Sequence, residues 1–195
     1  MSADPEMELY QHIRVVVSIL LGFSLTHLLK GVARIVQHPG RERVYWVHLV
    51  WVWFMFVYLI TFWWWEFRLE QIATWTLPLY VFVIVYGVLL YFLCALLFPD
   101  DVREYNGFRD YFYSRRGWFF GVLSAMWIVD FYDTVIKGPS RMHDVGIEYD
   151  IRALIYLMCS LIAMKTRNPR FHAAFAVIGS LYELFFFIRQ FFTVG

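Results

Sequence analysis

The stretch QIATWTLPLYVFVIVYGVLLYFLCALLFP, Gln71 to Pro99, runs for 29 residues without an Asp, Glu, Lys or Arg. Upstream, Val44 to Trp65 adds 22 more. A bilayer's hydrocarbon core is about 30 Å thick, and a helix of about 20 apolar residues crosses it. Both stretches meet that length, and a soluble fold of 195 residues could not bury two such rods. The sequence therefore predicts an integral membrane protein. Membrane strands would alternate over about ten residues with turn signals between them. These runs do not alternate, so the fold class expected is an all-α integral membrane bundle.

Four further segments carry the same signature with interruptions. They are Val15 to about Val36, Trp118 to Ile136 (broken by Asp130 and Asp133), Ile151 to Met164 (with Arg152), and Phe171 to Phe192 (with Glu183 and Arg189). Lys137-Gly138-Pro139 reads as a helix end followed by a stop, and Asn168-Pro169 as a helix start. The expectation is one domain of about six transmembrane helices, near 13–36, 44–65, 73–98, 117–136, 149–164 and 171–192. The fifth run is short enough to be re-entrant or interfacial instead. Between the third and fourth runs, Pro99 to Arg116 mixes eight charges with Tyr105, Phe108, Tyr111, Phe112 and Tyr113. That composition predicts a short amphipathic segment at headgroup level, broken at Asn106-Gly107. Trp63-Trp64-Trp65 reads as an interfacial anchor.

Formal net charge is only +1, which gives no reason to expect a nucleic-acid partner. Sorting the 17 Lys and Arg by predicted side puts 11 with the loops at 37–43, 99–116 and 165–170, and 6 on the other side. Cytoplasmic loops hold the basic excess. The basic loops should therefore be cytoplasmic and both termini outside, in a bacterial inner membrane. The acidic N-terminus (Asp4, Glu6, Glu8) lacks the basic start of a signal peptide. Cys94 and Cys159 both fall in apolar runs, so neither a disulfide framework nor a zinc site is expected.

Ionisable groups inside spans cost about 2.5–3.5 kcal/mol each at a helix centre and face protein or water. His27, Asp130, Asp133 and Glu183 are such groups. Counted from the basic loops at 1.5 Å per residue, His27, Asp130 and Glu183 come to nearly one depth, close to mid-membrane, with Asp133 a turn nearer the outer face. Ala176, Gly179, Ser180 and Glu183 share one helix face, and small residues let helices approach closely in lipid. The sequence thus predicts one polar cluster of His27, Asp130, Asp133 and Glu183. Either it is structural glue between helices or it carries a proton or cation.

His27 with His48 on the adjacent span offers a weaker pair of ligands for a metal ion or haem. His143, Asp144, Glu148 and Asp150 offer ligand types without metal spacing. There is no phosphate-binding glycine loop, no GxSxG elbow and no arginine ladder. The reading is a non-enzymatic membrane protein without a cofactor, partnered by the lipid bilayer. Its interior would conduct or transport a proton or cation, as a homo-oligomer because six helices make a thin monomer. Two alternatives stand beside it: a membrane module that binds a protein or lipid partner, and a haem- or quinone-linked redox protein.

Overall fold

The computed structural model describes residues 5–38, 43–72 and 74–193, and these are all-helical. Six α-helices follow in chain order: α1 (Pro5–Gln37), α2 (Trp46–Trp65), α3 (Leu77–Ala95), α4 (Phe108–Ile136), α5 (Pro139–Lys165) and α6 (Pro169–Thr193). Short 3-10 turns at Glu66–Gln71 and Val102–Glu104 lie in the α2–α3 and α3–α4 connections. Five helices, α1 to α4 and α6, are long and apolar enough to cross a membrane.

The exception is α5, and its sequence explains why. Its 27 residues are broken at Gly146, whose φ of 66° is a left-handed value that favours glycine. The first turns past the break carry Glu148, Asp150 and Arg152. Yet Ile147, Ile151, Leu154, Ile155, Met158 and Ile162 are exposed along one stripe of the helix. Arg152 meanwhile is buried. The helix turns charge inward and hydrocarbon outward, the reverse of a helix on a soluble protein.

The punctuation falls where local chemistry places it. Helix α4 ends at Ile136 with Lys137 as its cap, Gly138 takes φ 93°, and Pro139 opens α5 at a position where its missing N–H costs nothing. At the other end of α5, the Asn168 side chain accepts from the Arg170 backbone N–H as α6 begins.

Helix α2 stands at the centre, packed against α1, α3, α4 and α6, while α1 lies along α3 and α4 along α5. Trp51, fully buried on α2, meets Phe54, Phe119, Phe120 and Phe175 edge to face. The three basic connections gather at one end of the bundle. There Arg34 donates to the carbonyls of Pro99 and Asp100, the Phe108 N–H to Arg43, and Arg116 to Thr166.

The segment before the fourth span differs from the sequence expectation. Residues 108–116 are the opening turns of α4, with Phe108, Tyr111 and Phe112 buried in the core instead of lying along a headgroup surface. Phe108 and Phe98 enclose the His48 ring, stacked and edge-on respectively. Burying these rings outweighs their value as surface anchors, because a buried aromatic removes more than 100 Å² of apolar surface from water.

The turn after α3 packs onto α1 at Gly31, where a Cβ would stand 2.4 Å from the Phe98 ring. Gly31→Ala should therefore destabilise the fold by about 1–3 kcal/mol through overpacking. Thermal unfolding in detergent would show this as a lowered midpoint. An unchanged midpoint would mean that Phe98 moves aside freely.

A buried charge cluster

Toward the end of the bundle away from the basic loops, the helices enclose a cavity of about 40 Å³. Its wall includes Asp130, Asp133, Glu183, Glu66, Lys137 and Arg152. That volume has room for water, since one molecule needs about 10–15 Å³ of such space and polar partners.

Asp130 on α4 is the most fully answered group. Its Oδ1 accepts from the Tyr86 hydroxyl at 2.6 Å and the Tyr58 hydroxyl at 3.0 Å, and its Oδ2 from the Tyr149 hydroxyl at 2.7 Å. The Tyr149 oxygen in turn accepts from Thr134 at 2.9 Å. One carboxylate thereby ties α2, α3, α4 and α5 together. One turn on, Asp133 and Glu66 share a single ammonium, with Lys137 Nζ 2.7 Å from Asp133 Oδ2 and 2.8 Å from Glu66 Oε1. Glu66 sits just past α2 because that helix ends at Trp65 and the 3-10 turn carries its side chain inward.

On the far wall, Arg152 of α5 pairs with Glu183 of α6 through Nη1 and Oε1 at 2.7 Å, both residues at most 5% exposed. The guanidinium lies 4.1 Å from the centre of the Phe186 ring and within 5.2 Å of the Tyr149 and Trp127 rings, so π-faces share its desolvation. Glu183 faces α5 because the small face of α6 does. A Cβ on Gly179 would meet Tyr156 at 3.2 Å, and Tyr156 donates its hydroxyl proton to the Gly179 carbonyl at 2.6 Å. Ala176 and Gly179 are buried, and Ser180 is half-buried. With that proton already given, Glu183 Oε2 is left without a partner, as are Glu66 Oε2 and Arg152 Nε.

The charge count is uneven. Among the described residues, four carboxylates and two cations line the cavity, two negative charges in excess if all are ionised. Burial pushes Glu66 up to about 7 against the opposing pull of Lys137, and Asp133 adds to the rise. Burial alone would lower Lys137, but Asp133 and Glu66 hold it above its ordinary value, so its charge is fixed. A satellite pair lies outside the cavity, where Glu148 accepts from Tyr182 at 2.6 Å and pairs with Arg189.

The structure thus brings Asp130, Asp133 and Glu183 to one cavity and places His27 elsewhere. His27 lines a separate cavity with Tyr91, Phe98 and residues of the 99–105 connection, its ring 6.4 Å from that of Tyr91. Helix α1 packs on α3 and α2, α6 packs on α2 and α5, and α2 stands between. Equal depth therefore did not mean adjacency. Of the weaker His27–His48 pair, His48 has its Nε2 donating to the Leu97 carbonyl at 2.6 Å within an aromatic sandwich, and its Nδ1 has no partner. The side chains of His143 and Asp144 lie outside the described residues.

Sequence reasoning left Glu66, Lys137, Arg152 and three tyrosines out of the cluster. Arg152 carried a usable signal, being an ionisable group within an apolar run, as Glu183 is. Lys137 also carried one, lying four residues after Asp133 and so on its face of the helix. The tyrosines carried none, because hydroxyls in aromatic-rich spans read equally as interface anchors. Tyr86→Phe keeps the ring and removes one bond to a charged acceptor, worth about 1.5–3 kcal/mol. Loss of that amount in denaturant unfolding is the expected result, and no loss would remove Asp130 as the tie between helices.

Comparison with protein-family models, with characterised proteins and with solved structures finds no match to this chain. What can be said of function rests on the cluster itself.

Proposed function

We propose that this chain is an integral membrane protein that takes up and releases a proton at the buried cluster, and that this proton is coupled to movement across the membrane. Its support for membrane residence is the outward apolar surface. Val15, Ile19 and Phe23 on α1, Val81, Val85 and Phe92 on α3, and Ile178, Leu181, Phe185 and Ile188 on α6 are all exposed. Soluble monomers rarely expose apolar patches beyond a few hundred Å². The orientation follows the basic excess, with the 37–43, 99–116 and 165–170 connections cytoplasmic and both termini outside.

The observation that carries the chemistry is the excess of carboxylates among the described residues around a wet-sized cavity, with Glu183 Oε2 and Glu66 Oε2 unpartnered. Two uncompensated charges in a low-dielectric interior would cost several kcal/mol each, so the cluster holds positive charge from outside. A proton fits better than a metal ion. Lys137 Nζ already occupies the point between Asp133 and Glu66 that a cation would take, and the Arg152 guanidinium faces the remaining space. Glu183 is the carrier, Arg152 its fixed counter-charge, and Asp133 with Glu66 the second acceptor pair. Because all these groups belong to one chain, the mechanism needs no subunit interface. Asp130 takes a structural part, its oxygens filled by three phenols.

The test is dissipation of an imposed pH gradient in liposomes. The wild type should dissipate it, and Glu183→Gln, which retains an acceptor for Arg152 but cannot carry the proton, should not. Equal rates for wild type and empty liposomes would sink the reading.

A further inference from the structure

The sequence assigns Glu66 no role, yet two cavities meet at it. One is the buried cluster. The other is a larger hollow of about 450 Å³ at the same end of the bundle, lined by Tyr10, Arg14, Val17, Trp63, Trp64, Glu66 and Leu69. Glu66 lines both, and among the described residues it is the one that the two walls share. It is only 7% exposed, its Oε1 is held by Lys137, and its Oε2 has no partner. On the basic-loop side of the cluster, the rings of Trp127 and Tyr156 pack together, with Phe54, Phe175 and Trp51 next to them.

We infer that Glu66 is the entry carboxylate of the cluster, taking its proton from water in the hollow that Tyr10, Arg14, Trp63 and Trp64 surround. The inference rests on the proton-uptake reading above and adds a side and a route to it. The transfer moves one proton and no electrons. A hydronium ion in the hollow gives its proton to Glu66 Oε2 and is left as water, and Glu66 becomes a neutral carboxylic acid. Release to water inside the cluster cavity returns it to the carboxylate, and the proton passes on to Glu183.

The ion pair makes this a gate. While Glu66 is ionised it holds Lys137, which Asp133 also holds at 2.7 Å. Once Glu66 is neutral, Lys137 keeps Asp133 as its full partner and Glu66 is free to turn. Among the described residues, the charged and titratable groups that face it are Lys137, Asp133 and Asp130 from α4, Tyr10 and Arg14 from α1, Tyr58 from α2, and Tyr149, Arg152 and Glu183 across the cavity. Burial sets Glu66 near 7, inside the range where external pH varies.

The experiment is labelling in sealed liposomes with a membrane-impermeant maleimide applied to one face at a time. Glu66→Cys is made in a Cys159→Ser background, leaving Cys94, which is fully buried. Val17→Cys, which lines the hollow without altering charge, guards against misfolding of the first variant. Labelling of either from the face that bears the termini supports the entry route. Absence of labelling at both, or labelling from the basic-loop face, overturns it. In parallel, Glu66→Gln should flatten the pH dependence of gradient dissipation, and an unchanged profile also overturns the route. If the wild type carries no flux, the transport reading fails on its own, and labelling still decides whether the hollow leads to Glu66.

Discussion

Replacing Arg152 with Met should destabilise the fold by about 3–5 kcal/mol, the expected cost of removing one partner from a buried ion pair. The loss is not the worth of the 2.7 Å contact with Glu183. It is the cost of leaving a carboxylate buried at 1% exposure beside Asp130, with its fixed cation gone. The guanidinium also fills the space over Phe186, Tyr149 and Trp127, so Met retains some packing but none of the charge. Arg152→Met combined with Glu183→Leu removes both charges together. A buried pair replaced by hydrophobic side chains is often neutral or stabilising, so the double variant should regain most of the loss. Denaturant unfolding of the four proteins checks this. Additive losses would show that the two residues act independently, contrary to the geometry.

A second large effect is expected at Lys137, and it depends on pH. Lys137→Met leaves Glu66 and Asp133 facing one another without the ammonium they share. The sign follows from Glu66. Its folded value, raised by burial to about 7, lies above the ordinary 4.5. Below 4.5 both the folded and the opened states are protonated and the group costs nothing. As pH rises through the window from 4.5 to 7, the opened state ionises while the folded one keeps its proton, and stability falls. Without Lys137, whose charge lowers Glu66, the folded value climbs and the window extends upward. The variant should approach wild-type stability in acid and fall short by several kcal/mol at alkaline pH, where both carboxylates must ionise unpaired. A pH series of thermal unfolding in detergent would show the two curves diverging as pH rises. Parallel curves would mean that Lys137 does not set the charge of the pair.

The helices were legible in the sequence because their determinants are local. Apolar length marks α2 and α3, and Gly138-Pro139 and Asn168-Pro169 divide α4 from α5 and α5 from α6. The boundaries moved where tertiary packing gave a residue a better partner than the outer surface did. Helix α4 begins at Phe108, nine residues before the predicted Gly117, because Phe108, Tyr111 and Phe112 pack inward. Helix α5 starts ten residues earlier than predicted, and its charged turns are tolerated because Arg152 finds Glu183 and Glu148 finds Tyr182 and Arg189.

The site was legible along the bundle axis and not around it. Helical rise fixes the depth of His27 and Glu183, but which helices are neighbours follows from packing, and α2 separates those two. Penalising buried charge singled out Asp130, Asp133 and Glu183. The same argument, applied to Arg152 and to the ends of the spans at Glu66 and Lys137, would have completed the cluster. The phenols around Asp130 could not have been found this way, since only contact distinguishes a tyrosine that holds a carboxylate from one that anchors an interface.

On the proposed function, the cluster is short of positive charge and holds a proton of its own at neutral pH. Infrared spectroscopy of the protein in lipid reads this directly, as the carbonyl stretch of a protonated carboxylic acid in a water-poor site. The wild type should show that band at pH 7, losing intensity as pH is raised. Glu66→Gln should remove part of it, while the exposed Asp101→Asn should leave it intact. If no such band appears at pH 7 in the wild type, all four carboxylates are ionised. The cluster is then a network of fixed charges that binds the helices together and moves no proton.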